Sequence, residues 1–405
     1  MKDAADIEAL CLSRSCLEEL VRAARDAAPV SGLTHNFYRY PARFSPSFVR
    51  SVIHAFSEPG DWVMDPFAGG GTTLVEALAA GRNALGVDIS ALAAFICEAK
   101  TIMLDDRDVE LLRQWTRRLP KIVNMRAPGC RFTDYADAGY YRNISGGKYW
   151  RLRKSIEQAL ASVASLRGET AQTLARCVVL KTAQWALDAR KTLPNVQRFR
   201  EELAAQARAM TSAALEFRMR VEEDSNGHRP EILLFNRPAS GLEGEPTITP
   251  AVPPRLVVTS PPYPGIHVLY HRWQVDGRKE TPAPFWIANT FDGVGSSYYT
   301  MGDRKYPELR TYFDSLEANF RSVANVCSHE TTIVQVVAFS EADWQLARYL
   351  EVMKVCGLEE FRLWDLDESS DGRLWRKVPN RKWHAHQKEH APGAREVVLL
   401  HRKTR

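Results

Sequence analysis

Seven cysteines are scattered over 405 residues, and no two of them form a Cys-x-x-Cys pair. That spacing gives no support to a structural zinc site, and the thiols read as reduced. No run of about eighteen apolar residues exists for a membrane span. The opening segment, MKDAADIEAL, carries acids early and has no apolar stretch of signal-peptide length; the expectation is a chain that is not exported. No internal repeat is visible, which excludes a solenoid. A large excess of one charge is missing too, since 54 Lys and Arg stand against 49 Asp and Glu, a formal charge of +5. The small basic excess permits a nucleic-acid partner without requiring one. What is present is ordinary globular material, 45% hydrophobic and 25% charged, which argues against disorder and is long enough for two or three domains.

Apolar periodicity divides the chain into three regions. Residues 1–104 begin with a short amphipathic helix and a loop at Pro29–Gly32. Then comes YPARFSP, too rich in proline and aromatics for regular helix, before helical spacing from Ser47 to Phe56. DWVMDP, FAGGGTT, LVEALAAG and NALGVDIS next read as strand, glycine turn, helix and strand, a βαβ unit of a parallel sheet. Residues 105–228 carry helical periodicity throughout and form a large helical insertion. Residues 229–405 return to alternation, with strands expected at EILLFN, RLVVTSPPY, TTIVQVVAF, FRLWDL and EVVLLHR. About seven strands alternating with helices predict an α/β fold, a Rossmann-like doubly wound sheet with one helical insertion.

Two turns could carry chemistry. Asp65-Pro66-Phe67-Ala68-Gly69-Gly70-Gly71-Thr72-Thr73 joins a strand to a helix. Its glycines allow positive φ and close approach of a ligand to the backbone. The following helix aims free N–H groups at that ligand. A phosphate cradle would need a lysine after the glycines, where Thr72 and Thr73 stand, so a P-loop is rejected. Asp88 closes the second strand, where an acid can accept from ribose hydroxyls. The plain alternative is a tight turn with a strand-end acid. The second turn is Thr259-Ser260-Pro261-Pro262-Tyr263, at the end of a buried strand. Two prolines fix the chain and free its carbonyls from the ladder. A hydroxyl, a directed carbonyl and a flat ring together suit a planar exocyclic amine, whereas an isolated SPPY would be only a strand stop with a packed tyrosine.

DPFAGGGTT…VDIS followed by TSPPY resembles the S-adenosylmethionine-dependent DNA amino-methyltransferases, particularly those acting on cytosine N4. The resemblance implies a seven-stranded methyltransferase sheet. It implies that Asp65, Phe67, Ala68, Gly69, Gly71 and Thr72 line the methionine end of S-adenosyl-L-methionine. Asp88 would hold the ribose hydroxyls with Ile89 and Ser90 beside the adenine, while Arg43, Phe44 and Ser45 of YPARFSP would supply further contacts. Ser260, Pro261, Pro262 and Tyr263 match the catalytic motif, with Tyr263 stacking on a base flipped from the helix. Adenine-directed relatives more often carry Asp or Asn where Ser260 stands. No Pro-Cys dipeptide is present, which excludes a C5-cytosine mechanism. The cofactor motif precedes the catalytic one here, and the 105–228 insertion lies where some relatives place target recognition.

The implied partner is double-stranded DNA in a cytoplasmic, nucleoid-associated setting. The chain has no nuclease motif, so any cleavage would belong to a cognate restriction endonuclease or a defence-system protein. Adenine N6, an RNA base, and a catalytically silent DNA-binding subunit remain as alternatives. Basic residues interleaved with aromatics mark the expected DNA contacts: His271, Arg272, Trp273, Arg278 and Lys279 in the long 264–310 segment, and Arg376, Lys377, Arg381 and Lys382 near the carboxyl terminus. His384, His386 and His390 lack carboxylate or thiol partners, so no metal is expected. In QWALDARK, Asp188 reads as one half of an intrahelical or cross-domain ion pair.

Overall fold

The computed structural model describes residues 12–26, 28–40, 44–224, 229–248, 253–265, 272–277, 279–292, 299–302, 308–362, 371–377 and 395–404. Its centre is a sheet whose seven-strand path runs β3 (Ile232–Asn236), β2 (Asn83–Asp88), β1 (Trp62–Asp65), β4 (Leu256–Thr259), β7 (Thr332–Ala338), β10 (Arg395–Lys403), β8 (Leu358–Phe361). The first five strands are parallel, while β10 runs antiparallel to β7 and β8. β9 (Leu374–Lys377) pairs with β10 off that path. Strands of near-continuous apolar residues, such as fully buried β4 and β7, are what a parallel sheet covered on both faces requires. The predicted methyltransferase-like sheet is therefore present. The polarity of its strands puts the ends of β1, β2, β3, β4 and β7 on one rim.

Helices cover the two faces. On one side α1 (Arg14–Arg25), α2 (Pro46–Phe56) and α3 (Thr72–Ala79) pack together. Every residue of α3 is buried, including Glu76. That carboxylate is held by His35 Nε2 at 2.7 Å and Arg50 Nε at 2.8 Å, as a buried charge must be. On the other side lie α11 (Arg310–Val326) and α12 (Ala342–Val355). α4 (Ala91–Lys100) follows β2, with Ser90 capping its amino end.

The helical insertion opens with α5 (Asp106–Ile122), which Asp105 and Asp108 begin as a reciprocal capping box. α6 (Thr133–Asp137), α7 (Trp150–Val163), α8 (Glu169–Leu187) and α9 (Val196–Asp224) complete it. These helices share one apolar core with Phe37, Tyr38 and Tyr40 and with Trp273, Val275, Ala283, Phe285 to Ala288 and Tyr299. The 264–310 segment thus holds more regular structure than its sequence period suggests: a hairpin of β5 (Trp273–Val275) and β6 (Lys279–Thr281), then α10 (Ala283–Ala288). Strands three residues long are too short to show alternation. The strand expected at FRLWDL begins earlier, at Leu358, because its partners on β10 are Leu400–Lys403; residues 363–366 lie outside the described residues. β9 was not anticipated. Among the described residues, no helix is long and apolar enough to cross a membrane.

Candidate active site

Both candidate turns open onto one cavity of about 570 Å³ at the rim of the parallel strands, within the roughly 300–1,000 Å³ of small-molecule sites. The first turn is shaped by contact as well as by conformation. Gly71 has φ +72° and begins α3, and a Cβ there would lie 3.1 Å from Cys97 Sγ. A Cβ on Gly70 would meet Tyr40 Cβ at 3.1 Å, so the Tyr40 ring sits against the turn. Lys100 Nζ donates to the Gly70 carbonyl at 2.6 Å, and the Phe67 ring lies 6.0 Å from Phe320.

Asp65 and Asp88 are fixed by short bonds. Asp65 Oδ1 accepts from Thr259 Oγ1 at 2.7 Å and from the Phe67 N–H at 3.1 Å, which ties the end of β1 to the residue before Ser260. Asp88 Oδ2 accepts from the Gly69 N–H and Oδ1 from the Ser90 N–H, each at 2.8 Å. Burial pushes both carboxyls up to about 6, against an ordinary value near 3.8. A neighbouring cation or a set of hydroxyl donors would relieve that cost.

The second turn is held by its carbonyls. Tyr312 Oη donates to the Pro262 carbonyl at 2.7 Å and Ser340 Oγ to that of Pro264 at 3.3 Å. The Pro261 carbonyl accepts nothing among the described residues. Ser260 Oγ lies 3.0 Å from the Val336 carbonyl and 3.0 Å from Tyr263 Oη. With its proton committed to either one, its lone pairs face the cavity as acceptors. Tyr263 lines the cavity but is only 7% exposed, and its hydroxyl donates to Glu396 Oε1 at 2.7 Å.

Most of the expected cofactor residues meet here. Phe44, Asp65, Phe67, Ala68, Gly69, Thr72, Asp88 and Ile89 line the cavity, as do Ser260, Pro262 and Tyr263. Gly71 instead caps α3, Ser90 caps α4 through Ala93 N–H at 3.3 Å, and Ser45 starts α2. Pro261 is buried behind the lining. Arg43 lies outside the described residues.

The expected DNA contacts fare differently. Arg272 pairs with Asp292 at 2.7 Å, and Trp273 is 2% exposed with its indole N–H on Tyr38 Oη at 2.9 Å. Arg376 is 5% exposed and pairs with Glu396 at 2.8 Å. Trp273 and Arg376 serve the core, since a buried guanidinium or indole needs a protein partner, whereas Arg272 is partly exposed beside its acid. Lys279 is exposed and Lys377 ends β9. His271, Arg278, Arg381 and Lys382, with His384, His386 and His390, lie outside the described residues. Among the described residues no group of three His, Cys, Asp or Glu could hold a metal. Asp188 makes the cross-region pair, taking Arg39 and the Gln274 N–H at 3.0 Å.

The sequence reading missed four parts of the lining. Tyr40 is one, and Pro238 to Ser240 is another; the latter follows β3 and was legible from the rule that strand ends build the site. Thr311, Ser315, Ala318 and Asn319 form the third, and their spacing puts small side chains on one face of α11. Tyr299, Met301 and Gly302 complete it. Thr259 and Glu396 carried no signal beyond their position beside a motif or at a strand start.

Residues 24–96 match a family described as DNA methylase, of the N6/N4 type. The type II methyltransferase M.MjaII of Methanocaldococcus jannaschii is 35% identical over 80 residues, 20% of this chain and 14% of its own length. The type II methyltransferase M.BsoBI of Geobacillus stearothermophilus is 35% identical over 82 residues, 20% of this chain and 16% of its own. The DNA adenine methyltransferase YhdJ of Escherichia coli is 37% identical over 65 residues, 16% and 22%. The chain thus spans less than a quarter of these relatives' lengths. Through that segment it is distantly related to the N6/N4 DNA methylases and the type II DNA methyltransferases.

Proposed function

We propose that this protein transfers a methyl group from S-adenosylmethionine to the exocyclic amine of a DNA base, with cytosine N4 as the target. One observation carries the reading: the glycine turn with Asp65 and Asp88, and the Ser260–Tyr263 turn, stand side by side on one rim and line a single cavity. The chemistry of the donor set fits the methyl donor. Two buried carboxyls held on backbone N–H groups suit a ribose diol and an ammonium, and the glycine turn brings backbone to the cavity wall beside the Tyr40 ring.

The amine of a nucleobase is a weak nucleophile because its lone pair is delocalised into the ring. The acceptor on the cavity wall that would draw it out of plane is Ser260 Oγ, and the adjoining Pro261 carbonyl, which accepts nothing among the described residues, would be the second once the base is seated. Accepting both N–H groups there favours a tetrahedral nitrogen whose lone pair points at the methyl sulfonium, by positioning and electrostatics. The base must leave its stack to enter, and the Tyr263 ring on the cavity wall is its stacking surface. The helical insertion shares a core with Trp273, Trp286 and Tyr299, the last of which also lines the cavity, and is our candidate for target recognition.

A second reading keeps the mechanism and changes the base: the similarity to an adenine methyltransferase favours adenine N6. The test is incubation with labelled S-adenosylmethionine and, in parallel, unmethylated genomic DNA or total RNA, followed by digestion to nucleosides. Label in N4-methyldeoxycytidine supports the first reading and label in N6-methyldeoxyadenosine the second. Label in RNA alone refutes DNA as substrate.

A further inference from the structure

We propose that Ser260, Tyr263 and Glu396 form a hydrogen-bonded relay that takes the proton from the target amine during methyl transfer, with Arg376 fixing its far end. The inference rests on the methyl-transfer reading above. Stacking uses only the ring of Tyr263, yet its hydroxyl sits in a continuous chain. Ser260 Oγ is 3.0 Å from Tyr263 Oη, Tyr263 Oη is 2.7 Å from Glu396 Oε1, and Arg376 Nε donates to Glu396 Oε2 at 2.8 Å. Ser260 and Tyr263 line the cavity, whereas Glu396 and Arg376 are buried behind them.

The topology explains why a carboxylate stands there. β10 is antiparallel, so its first residues meet the carboxyl ends of its parallel neighbours, and Glu396 pairs in register with Ala338, the last residue of β7, and with Arg376 of β9. Arg376 in turn lies over Phe48, its guanidinium 5.2 Å from the ring centre.

As the amine nitrogen attacks, an N–C bond forms and the S–C bond of the methyl sulfonium breaks, leaving its electron pair on sulfur. The N–H proton passes to Ser260 Oγ, the Ser260 proton to Tyr263 Oη, and the phenolic proton to Glu396 Oε1. The carboxylate becomes a carboxylic acid as the sulfonium loses its charge, and the proton returns through Tyr263 Oη and Ser260 Oγ to water in the emptied cavity before the next turnover. Burial holds the phenol of Tyr263 well above its usual value, so the hydroxyl gains and loses protons together and no tyrosinate accumulates.

The test measures single-turnover methylation in H2O and D2O for the wild type, Tyr263→Phe, Glu396→Gln and Glu396→Asp. Tyr263→Phe keeps the ring and is expected to bind cofactor normally, to react about a hundredfold more slowly, as for a lost general base, and to lose the solvent isotope effect. Glu396→Gln is expected to match it, and Glu396→Asp to recover part of the rate. A Tyr263→Phe rate within threefold of wild type overturns the relay. So does a slow variant that keeps the isotope effect, or a wild type that reacts equally fast in both solvents. A readout without any substrate is urea unfolding of the free protein: Tyr263→Phe and Glu396→Gln should shift the midpoint non-additively, and additive shifts overturn the bond between them. A wild type that methylates no nucleic acid refutes the methyl-transfer reading by itself, while the unfolding cycle still reports on the chain.

Discussion

Asp88→Asn separates a ligand-holding carboxylate from a folding one, because the two roles predict opposite results. In the free protein each Asp88 oxygen accepts one backbone N–H, from Gly69 and from Ser90, at 2.8 Å. Moving the carboxyl from 3.8 to about 6 makes ionisation in place cost at most about 3 kcal/mol, an upper figure because the group borders the open cavity. Asparagine removes that cost. It also turns an NH2 toward one of the two N–H donors and forfeits that bond, worth about 1–3 kcal/mol. The two effects nearly cancel, so the melting temperature of the free protein at pH 7.5 should move by only a few degrees. A ribose diol donating to the charged carboxylate would lose about 1.5 kcal/mol or more per hydroxyl, hence about 3 kcal/mol and at least a hundredfold in affinity. Calorimetric titration with S-adenosylmethionine, beside a thermal melt without ligand, measures both. Binding within threefold of wild type would refute the assignment, and a melting temperature lowered by more than about ten degrees would make Asp88 a folding residue instead.

Gly71→Ala should cost about 2–4 kcal/mol in urea unfolding, combining left-handed strain with a Cβ 3.1 Å from Cys97 Sγ; a loss under 1 kcal/mol would mean that the turn relaxes freely. Buried His401 bonds Gln335 at 3.1 Å and its pKa is pushed down to about 4, from an ordinary 6.5. Its contribution is complete above pH 6.5 and declines by about 3 kcal/mol as pH falls to 4. Asp65 and Asp88 act in the opposite sense between 6 and 3.8, so the check is the difference between wild type and His401→Gln, whose melting temperature should fall less steeply with acid. Tyr38→Phe strands the buried indole N–H of Trp273 and should cost about 1–3 kcal/mol; an unchanged unfolding midpoint would show that Trp273 finds another acceptor.

Both turns were legible because each couples an unusual composition to a strand end. Glycines between an apolar strand and an apolar helix, and two prolines after a buried strand, each have a plain structural use, and it is their occurrence together in one strand-and-helix pattern that marked a site. Burial of Trp273 and Arg376 was not legible, since a sequence gives charge and ring without direction. Arg272 and Arg376 look alike as members of Lys- and Arg-rich stretches, yet each is paired with an acid, Asp292 and Glu396, respectively 20 residues further along the chain. The hairpin at Trp273–Thr281 was hidden for another reason, being stabilised by burial against the helical insertion and not by a pattern of its own.

The sequence by itself determined the order of elements, the glycine turn, the Ser-Pro-Pro-Tyr turn and the helical character of residues 105–224, because these follow from local sterics and apolar period. Tertiary structure alone decided which of those pieces meet. Parallel pairing of β1 with β4 joins Asp65 to Thr259 across 194 positions. The reversal of β10 brings Glu396 to the Tyr263 hydroxyl across 133. Such contacts are fixed by strand order and direction, which depend on the whole chain burying both faces of one sheet and cannot be read from any segment alone.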